Sequence, residues 1–200
     1  MLKRAFDVLV SGVGLILSAP LWAAIAIAIK LEDGGPIFFV QPRVGQRGVP
    51  FRAYKFRSMV PAAASAPPRQ AAESDPRITR VGAWLRPTAM DELPQLVNIF
   101  KGDMSFVGPR PLMPGEIELR GDGRHVPLAA IPGYHDRHAV LPGLTGLAQI
   151  YAARDVRRAT KFRFDRLYAR RASFGLDLRL ILISFWISAR GRWEHRASKL

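Results

Sequence analysis

The sequence predicts a mainly helical α+β protein that meets a membrane through its N-terminus. Three observations point there. Residues 8–29 form an uncharged, largely apolar run, two short alternating segments flank Gly45-Gln46-Arg47-Gly48, and 30 Lys and Arg against 16 Asp and Glu leave a formal net charge of +14. A chain of 200 residues fits one principal domain with a small appendage. The boundary is placed at 1–32 for the membrane-inserted helix and 33–200 for the main domain.

As one straight helix the run at 8–29 would rise about 33 Å, enough for a hydrocarbon core of about 30 Å. Three readings compete for it. A cleaved signal peptide could use Ala24-Ile25-Ala26, but the apolar stretch continues past that site and Asp7 interrupts its charged start. A transmembrane span must tolerate Pro20, which has no N–H and whose ring crowds the carbonyl of Ile16. The halves on either side of Pro20, about 18 and 13 Å long, are each too short to cross. Lys3 and Arg4 precede the run, Lys30 and Arg43 follow it, and positive flanks favour keeping both ends on the cytoplasmic side. A Pro-kinked helix that enters and leaves one leaflet satisfies both facts; a kinked span stays open.

Beyond the run, segments 37–43 and 51–57 read as a β-hairpin around the Gly45–Gly48 turn. Residues 61–76, rich in Ala, Pro and Ser, read as a loop. Residues 79–100 carry a helical pattern broken at Pro87 and Pro94, with Leu93, Val97 and Phe100 on one face. Glycine and proline dominate 102–146, which reads as irregular and site-building. Residues 157–171 form a basic helix with Phe164, Leu167 and Tyr168 on one side. The apolar stretch 176–187 contains Asp177 and Arg179 and is followed by Arg190, Arg192 and Trp193. It is too short to span, and either a core helix or an interfacial amphipathic helix fits it.

Composition removes several chemistries. With no cysteine there is no disulfide framework, thiol nucleophile or zinc-thiolate site. The histidines, His125, His135, His138 and His195, form no i, i+4 pair and read as surface or loop residues. A metal would then be a hard cation on carboxylates and phosphates, with magnesium the expected choice. The basic excess calls for an anionic partner, and no nucleic-acid motif is present.

The densest polar constellation runs from Asp75-Pro-Arg77-Ile-Thr-Arg80 through Arg86 and Asp91-Glu92-Leu-Pro-Gln95 to Gly108-Pro109-Arg110-Pro111. Arginine forks suit phosphate oxygens, and a carboxylate beside a diphosphate can do phosphoryl chemistry. Asp91 itself is open to two readings. With Pro94 at the third helical position, Asp91 falls at the N-cap and Glu92 at the first helical residue. A helix dipole and nearby arginines would then lower its pKa, which suits a plain cap as well as a nucleophile among phosphates. Arg77 and Arg80 are equally open between structural and phosphate-binding roles.

The motif series resembles the small monotopic phosphoglycosyl transferases, the bacterial sugar transferase family, nearly end to end. It carries Lys3-Arg4-Ala-Phe6-Asp7, Gly35-Pro-Ile-Phe-Phe39, Arg43-Val-Gly45, Tyr54-Lys-Phe-Arg-Ser-Met59 and Asp75–Arg80. It continues with Asp91–Leu96, Gly102-Asp-Met-Ser-Phe-Val-Gly-Pro-Arg-Pro111, Pro142-Gly-Leu-Thr-Gly-Leu-Ala-Gln149 and Leu176-Asp-Leu178. The resemblance implies a monotopic protein at the bacterial inner membrane, catalytic domain facing the cytoplasm. Asp91 would attack the sugar-bearing phosphorus of a UDP-sugar, release UMP, and pass the phosphosugar to undecaprenyl phosphate, the first membrane step of glycoconjugate or exopolysaccharide assembly. It also implies Asp91 and Glu92 as the catalytic and Mg2+-handling dyad, with Arg86, Arg110, Pro109, Pro111, Arg77, Arg80 and Gln149 around the substrate. Membrane lipid is an implied partner, a second copy of the chain a further one. Pro20, with Ser18, marks the helix break, although the family's serine directly before the proline is Ala19 here. After Gln149 the family's Asn-Gly-Arg is replaced by Ile150-Tyr151-Ala152.

Overall fold

A computed structural model describes residues 2–60, 75–119, 123–153 and 156–193. Most of the expected loop at 61–76 lies outside the described residues, as does His195. The first helix, α1 (Leu2–Asp33), runs unbroken through Pro20. At 32 residues it is about 48 Å long. It is long and apolar enough to cross a membrane, and Leu9, Ile16, Leu17, Ile27 and Leu31 are exposed along it. Pro20 cannot donate to Ile16, while the Ser18 hydroxyl donates back to the Gly14 carbonyl at 2.6 Å.

Both ends of α1 are tied to the main body. Near its start, Lys3 Nζ donates to Asp177 Oδ2 at 2.5 Å and to the Val107 carbonyl at 3.1 Å, and Arg4 donates to the Ile99 and Phe100 carbonyls. Asp7, fully buried, accepts from the Phe106 N–H. At the other end Glu32 accepts from the Arg80 and Val81 N–H groups, and Asp33 pairs with Arg57. Between them Gly12 lies against Phe100 and Gly14 against Leu96.

The hairpin forms as its alternation predicts: β1 (Phe38–Val44) pairs antiparallel with β2 (Pro50–Phe56), Phe38 opposite Phe56 and Val44 opposite Pro50. A 3-10 turn at Gln46–Gly48 joins them, with Arg47 and Gly48 at positive φ. Successive side chains point to opposite faces. One face stacks Phe38 on Phe56 and meets Trp22 of α1; the other carries Gln41, Arg43 and Lys55.

The pattern over 79–100 resolves into two helices and a tight turn. α2 (Arg80–Leu85) starts at Thr79, whose hydroxyl accepts from the Gly82 N–H at 2.9 Å as an N-cap. Met90–Glu92 is a 3-10 turn, and α3 (Gln95–Lys101) begins only after Pro94. Gly102 closes α3 at φ 97°, where a glycine carries no Cβ penalty.

In the glycine- and proline-rich stretch, β3 (Ser105–Val107) runs parallel to β6 (Gly143–Thr145), and between them lie the hairpin β4 (Ile117–Leu119) with β5 (His125–Pro127) and the short helix α4 (Tyr134–Arg137). β3 and β6 approach so closely that a Cβ on Gly143 would sit 2.0 Å from the Gly108 nitrogen, and one on Gly146 2.3 Å from its carbonyl oxygen. The chain ends in α5 (Leu147–Tyr151), α6 (Arg158–Arg171) and α7 (Phe174–Ala189).

α6 differs from expectation in its face: Phe162, Asp165 and Tyr168 are buried, whereas Leu167 points outward. The buried spacing i, i+3, i+6 follows the contacts with α4 and α5, and the aspartate is accepted because Arg137 pairs with it. α7 buries Asp177, Leu180 and Ile187 and leaves Leu178, Leu182, Phe185 and Trp186 exposed on its other side.

Four apolar clusters make the core. Ile25, Ile29, Phe56 and Leu85 join α1, β2 and α2, with Met90 and Leu93 packed on them. Leu96, Ile99 and Met104 sit beneath α1, and Val107, Ile150, Tyr168, Leu180 and Ile187 hold the C-terminal helices. Leu112, Leu128, Ile131 and Phe162 form the fourth. His138 lies near that cluster, its ring edge-on to Tyr134, and burial together with Arg137 lowers its pKa to about 4. The imidazole is therefore neutral when folded and takes a proton more readily when unfolded. Stability is fully present above about pH 6.5 and falls as pH drops toward 4; with allowance for partial solvation the loss is about 1–2 kcal/mol. Denaturant midpoints at pH 7 and 4.5 should therefore differ less in His138→Gln than in the parent chain.

Candidate active site

The polar face of the hairpin, the Met90–Glu92 turn and the segment 108–112 converge on a group of charges, with Asp91 buried, Glu92 and Lys55 half-buried and Arg110 exposed at the rim. Glu92 is the meeting point. Its Oε1 accepts from Lys55 Nζ at 2.5 Å and from Arg110 Nη2 at 2.8 Å. Burial alone would raise the Glu92 carboxyl, but Arg110 and Lys55 outweigh it and hold it well below the usual carboxylate range. For Lys55, burial lowers the ammonium pKa and Glu92 opposes the shift.

Asp91 is buried beside this pair yet makes no hydrogen bond or ion pair with any described residue. Burial pushes its carboxyl up, to about 6; Lys55, Arg86 and Arg110 act to lower it and Glu92 to raise it. The sequence reading of Asp91 as an α-helix N-cap with a lowered pKa is thus corrected. The turn holding it is 3-10, its N-cap is Ala89, and α3 starts four residues later. No helix dipole of useful length is aimed at it, so desolvation wins. Ala89 itself sits at φ 57°, ψ 20°, a left-handed conformation rare for a residue with a Cβ. Thr88 is turned away, its hydroxyl donating to the Leu85 carbonyl at 2.9 Å.

The segment carrying Arg110 is pinned from several sides. Pro109 and Pro111 are buried on either side of it. The Pro111 carbonyl accepts from Arg43 Nη1 at 3.1 Å, and the Leu112 carbonyl from the Val44 N–H at 2.8 Å. Gln149 is buried behind, Nε2 at 3.5 Å from the Gly108 carbonyl. Arg86 is near enough to Asp91 to lower its pKa. Arg77 and Arg80 are placed differently. Arg77 forms a two-point pair with Asp75, and the Arg80 N–H is bonded to Glu32. Neither makes a described contact with Asp91 or Glu92.

Two cations of the site were not singled out as site residues in the sequence. Lys55 and Arg43 lie on one face of the hairpin, and the alternation Gln41, Arg43 against Phe38, Val40 was the signal that could have found them. Among the described residues Arg43 is bonded to two neutral acceptors, Gln41 Oε1 at 2.6 Å and the Pro111 carbonyl, and burial followed by Arg110 lowers its pKa to about 10. The cations Arg43, Lys55, Arg86 and Arg110 exceed the carboxylates Asp91 and Glu92, which suits a ligand with more than one negative charge. No group of three or more acidic or histidine side chains able to hold a metal occurs among the described residues. A divalent cation held by one or two carboxylates and completed by substrate phosphates still fits Asp91 and Glu92.

A buried aspartate with no hydrogen-bond partner among the described residues, beside a glutamate clamped by two cations and packed on a helix apolar enough to cross a membrane, is an arrangement compatible with membrane association and with an anionic ligand. Residues 1–191 match the family model described as bacterial sugar transferase, and the chain belongs to that family. It is 42% identical over 188 residues to undecaprenyl-phosphate glucose phosphotransferase of Komagataeibacter xylinus, covering 91% of this chain and 35% of that protein. It is 38% identical over 189 residues to the UDP-glucose:undecaprenyl-phosphate glucose-1-phosphate transferase of Escherichia coli (strain K12), covering 92% and 39%. To the exopolysaccharide production protein ExoY of Rhizobium meliloti (strain 1021) it is 39% identical over 196 residues, covering 90% and 82%. The chain thus spans little more than a third of the first two relatives and most of the third.

Lys55 supplies a direct check on the site's electrostatics. Lys55→Met leaves the half-buried Glu92 with one cation fewer and should lower unfolding free energy by about 3 kcal/mol, measured by denaturant titration in detergent. Lys55→Met with Glu92→Gln should recover part of that loss.

Proposed function

We propose that the chain transfers a phosphosugar from a UDP-sugar to undecaprenyl phosphate through a covalent intermediate on Asp91. The observation that carries this reading is the unequal treatment of two adjacent carboxylates. Glu92 is held by two cations, whereas Asp91 is left without a bonding partner. At pH 7 a carboxyl with a pKa of about 6 is mostly ionised, and more basic than an ordinary aspartate. An ionised carboxylate attacks without a base.

In the first step an Asp91 oxygen bonds to the sugar-bearing phosphorus as the bond to the bridging oxygen breaks. UMP leaves with the electron pair, and the sugar phosphate stays on the carboxylate as a mixed anhydride. An oxygen of the lipid phosphate then attacks the same phosphorus, regenerating the Asp91 carboxylate and giving a lipid diphosphosugar. Arg110, Arg86 and Arg43 offset the charge that builds on the phosphate oxygens. Magnesium, held by Asp91 and Glu92 with the substrate phosphates, would supply further charge neutralisation. The relatives named for glucose make UDP-glucose the first donor to assay.

The same reading includes a re-entrant α1, with the whole protein on the cytoplasmic face of the inner membrane. Support comes from the bonds at both ends of the helix. A span would carry one end across the bilayer, yet Lys3 reaches Asp177 and Glu32 reaches the start of α2 on one body. The exposed stripe Leu178, Leu182, Phe185 and Trp186, with Arg190 over the Trp186 ring, suits an interfacial helix.

Two experiments test the reading. Purified protein should release UMP from UDP-glucose or another UDP-sugar when undecaprenyl phosphate is present. Asp91→Asn should abolish release while remaining folded and membrane-bound; substantial turnover by that variant would sink the nucleophile assignment. For topology, the absence of cysteine permits single probes at Leu2 and Arg171. Both should resist a membrane-impermeant thiol reagent in intact cells and react after the inner membrane is opened. Labelling of the Leu2 site alone from outside would show a span.

A further inference from the structure

Arg137 was flagged by no motif considered above, and its side chain is 2% exposed. Its guanidinium is nonetheless bonded on several sides. Nε donates to Asp165 Oδ2 at 2.8 Å, and Nη2 donates to the backbone carbonyl of Arg110 at 2.5 Å. Nη1 lies 3.3 Å from His138 Nε2, and the ring of Phe162 is 5.0 Å from the guanidinium carbon. A guanidinium is planar and its donors are fixed relative to one another. Once Nε is set on Asp165, the direction of Nη2 is set as well.

Asp165 belongs to α6, inside the helix pairing with α4, and touches no group at the candidate site. The anchor is therefore outside the site, while the carbonyl it orients belongs to the residue whose side chain meets Glu92. Three successive carbonyls of this segment have donors: Arg110 from Arg137, Pro111 from Arg43, and Leu112 from the Val44 N–H. The Arg110 side chain thus departs from a backbone whose peptide planes are fixed, and side-chain rotamers depend on backbone angles. An isolated carbonyl needs only a neutral donor. A buried ion pair is an expensive way to supply one and is weak evidence for stability.

We propose that Arg137, anchored by Asp165, is a positioning residue for phosphosugar transfer, holding the Arg110 backbone so that its guanidinium faces Glu92 and the donor phosphates. This rests on the reading of Arg110 as a phosphate contact.

The test uses the full chain in membranes or detergent, with kcat, KM and thermal midpoints for Arg137→Lys, Arg110→Ala and the two combined. A lysine keeps the charge but has a single nitrogen on a flexible stem, so it lacks the rigid fork that ties the Arg110 carbonyl to Asp165 through two separate nitrogens. Arg137→Lys should lower kcat/KM on the order of 10- to 100-fold, the range for a displaced reactive group. On the Arg110→Ala background it should change kcat/KM by no more than about twofold, while the drop in midpoint is the same on both backgrounds. A purely structural role would multiply through both backgrounds. Wild-type kcat/KM in Arg137→Lys, or its full loss repeated on the Arg110→Ala background, overturns the proposal.

Where Arg137→Lys does not fold, Arg137→Met with Asp165→Leu decides, because well-packed apolar replacements of a buried pair preserve stability. That pair should show the same loss of kcat/KM, and wild-type values overturn the proposal. Should the parent chain release no UMP from any UDP-sugar, the activity reading fails and the positioning claim is read separately. Phenylglyoxal should then modify Arg110 faster in the Met/Leu variant than in the parent, followed by peptide mass spectrometry; equal rates would contradict it.

Discussion

Glu92 Oε1 takes one hydrogen bond from Lys55 and one from Arg110, and through those two bonds three separate pieces of chain become one site. Lys55 brings the hairpin, Arg110 brings the segment after β3, and Glu92 itself brings the turn between α2 and α3. Lys55 and the Glu92 carboxylate, both largely removed from water, would each be costly to leave unpaired, whereas Arg110 reaches Glu92 from the exposed rim. Together they leave a site rich in positive charge in which the Asp91 carboxylate has no hydrogen-bond partner among the described residues. The division between a fixed glutamate and a free aspartate follows from which of the two side chains the 3-10 turn aims at the hairpin.

That turn is in turn supported by α1. Met90 and Leu93 pack on the cluster containing Ile25 and Ile29, so the candidate nucleophile stands directly on the C-terminal half of the apolar helix. The N-terminal half is held by a different set of bonds: Lys3 to Asp177, Arg4 to the end of α3, and Asp7 to β3. A helix bonded at both ends to one body sets the distance between the site and whatever surface the exposed leucines and isoleucines meet. For the proposed reaction, which joins a water-soluble donor to a lipid acceptor, that distance is the geometric requirement.

Much of this was legible in the sequence, for identifiable reasons. The hairpin followed from alternation around Gly45–Gly48 and formed within one residue of expectation. The breaks at Pro87 and Pro94 were visible because proline cannot continue a helix. The start of α3 was misplaced because a left-handed Ala89 and a 3-10 turn have no signature in propensity; they exist only because the flanking clusters hold them. Helical period grouped the buried Tyr168 of α6 with Phe164 and Leu167, whereas it is buried together with Phe162 and Asp165, since the tertiary partner of Asp165 lies 28 residues away at Arg137. Lys55 was present in a quoted motif but had no visible role until the hairpin was folded against Glu92. Of Arg77 and Arg80, which sequence proximity grouped with the site, Arg77 pairs through its side chain with Asp75, and the backbone N–H of Arg80 donates to Glu32.

The proposed mechanism requires Asp91, not Glu92, to carry the phosphosugar. Intact-mass spectrometry of the protein mixed with UDP-sugar and quenched without lipid acceptor addresses this most directly, with the modified peptide then sequenced. The expected result is one added phosphosugar, mapped to Asp91 and lost when undecaprenyl phosphate is supplied. An adduct on Glu92, or rapid turnover with no adduct at any time point, would contradict the account.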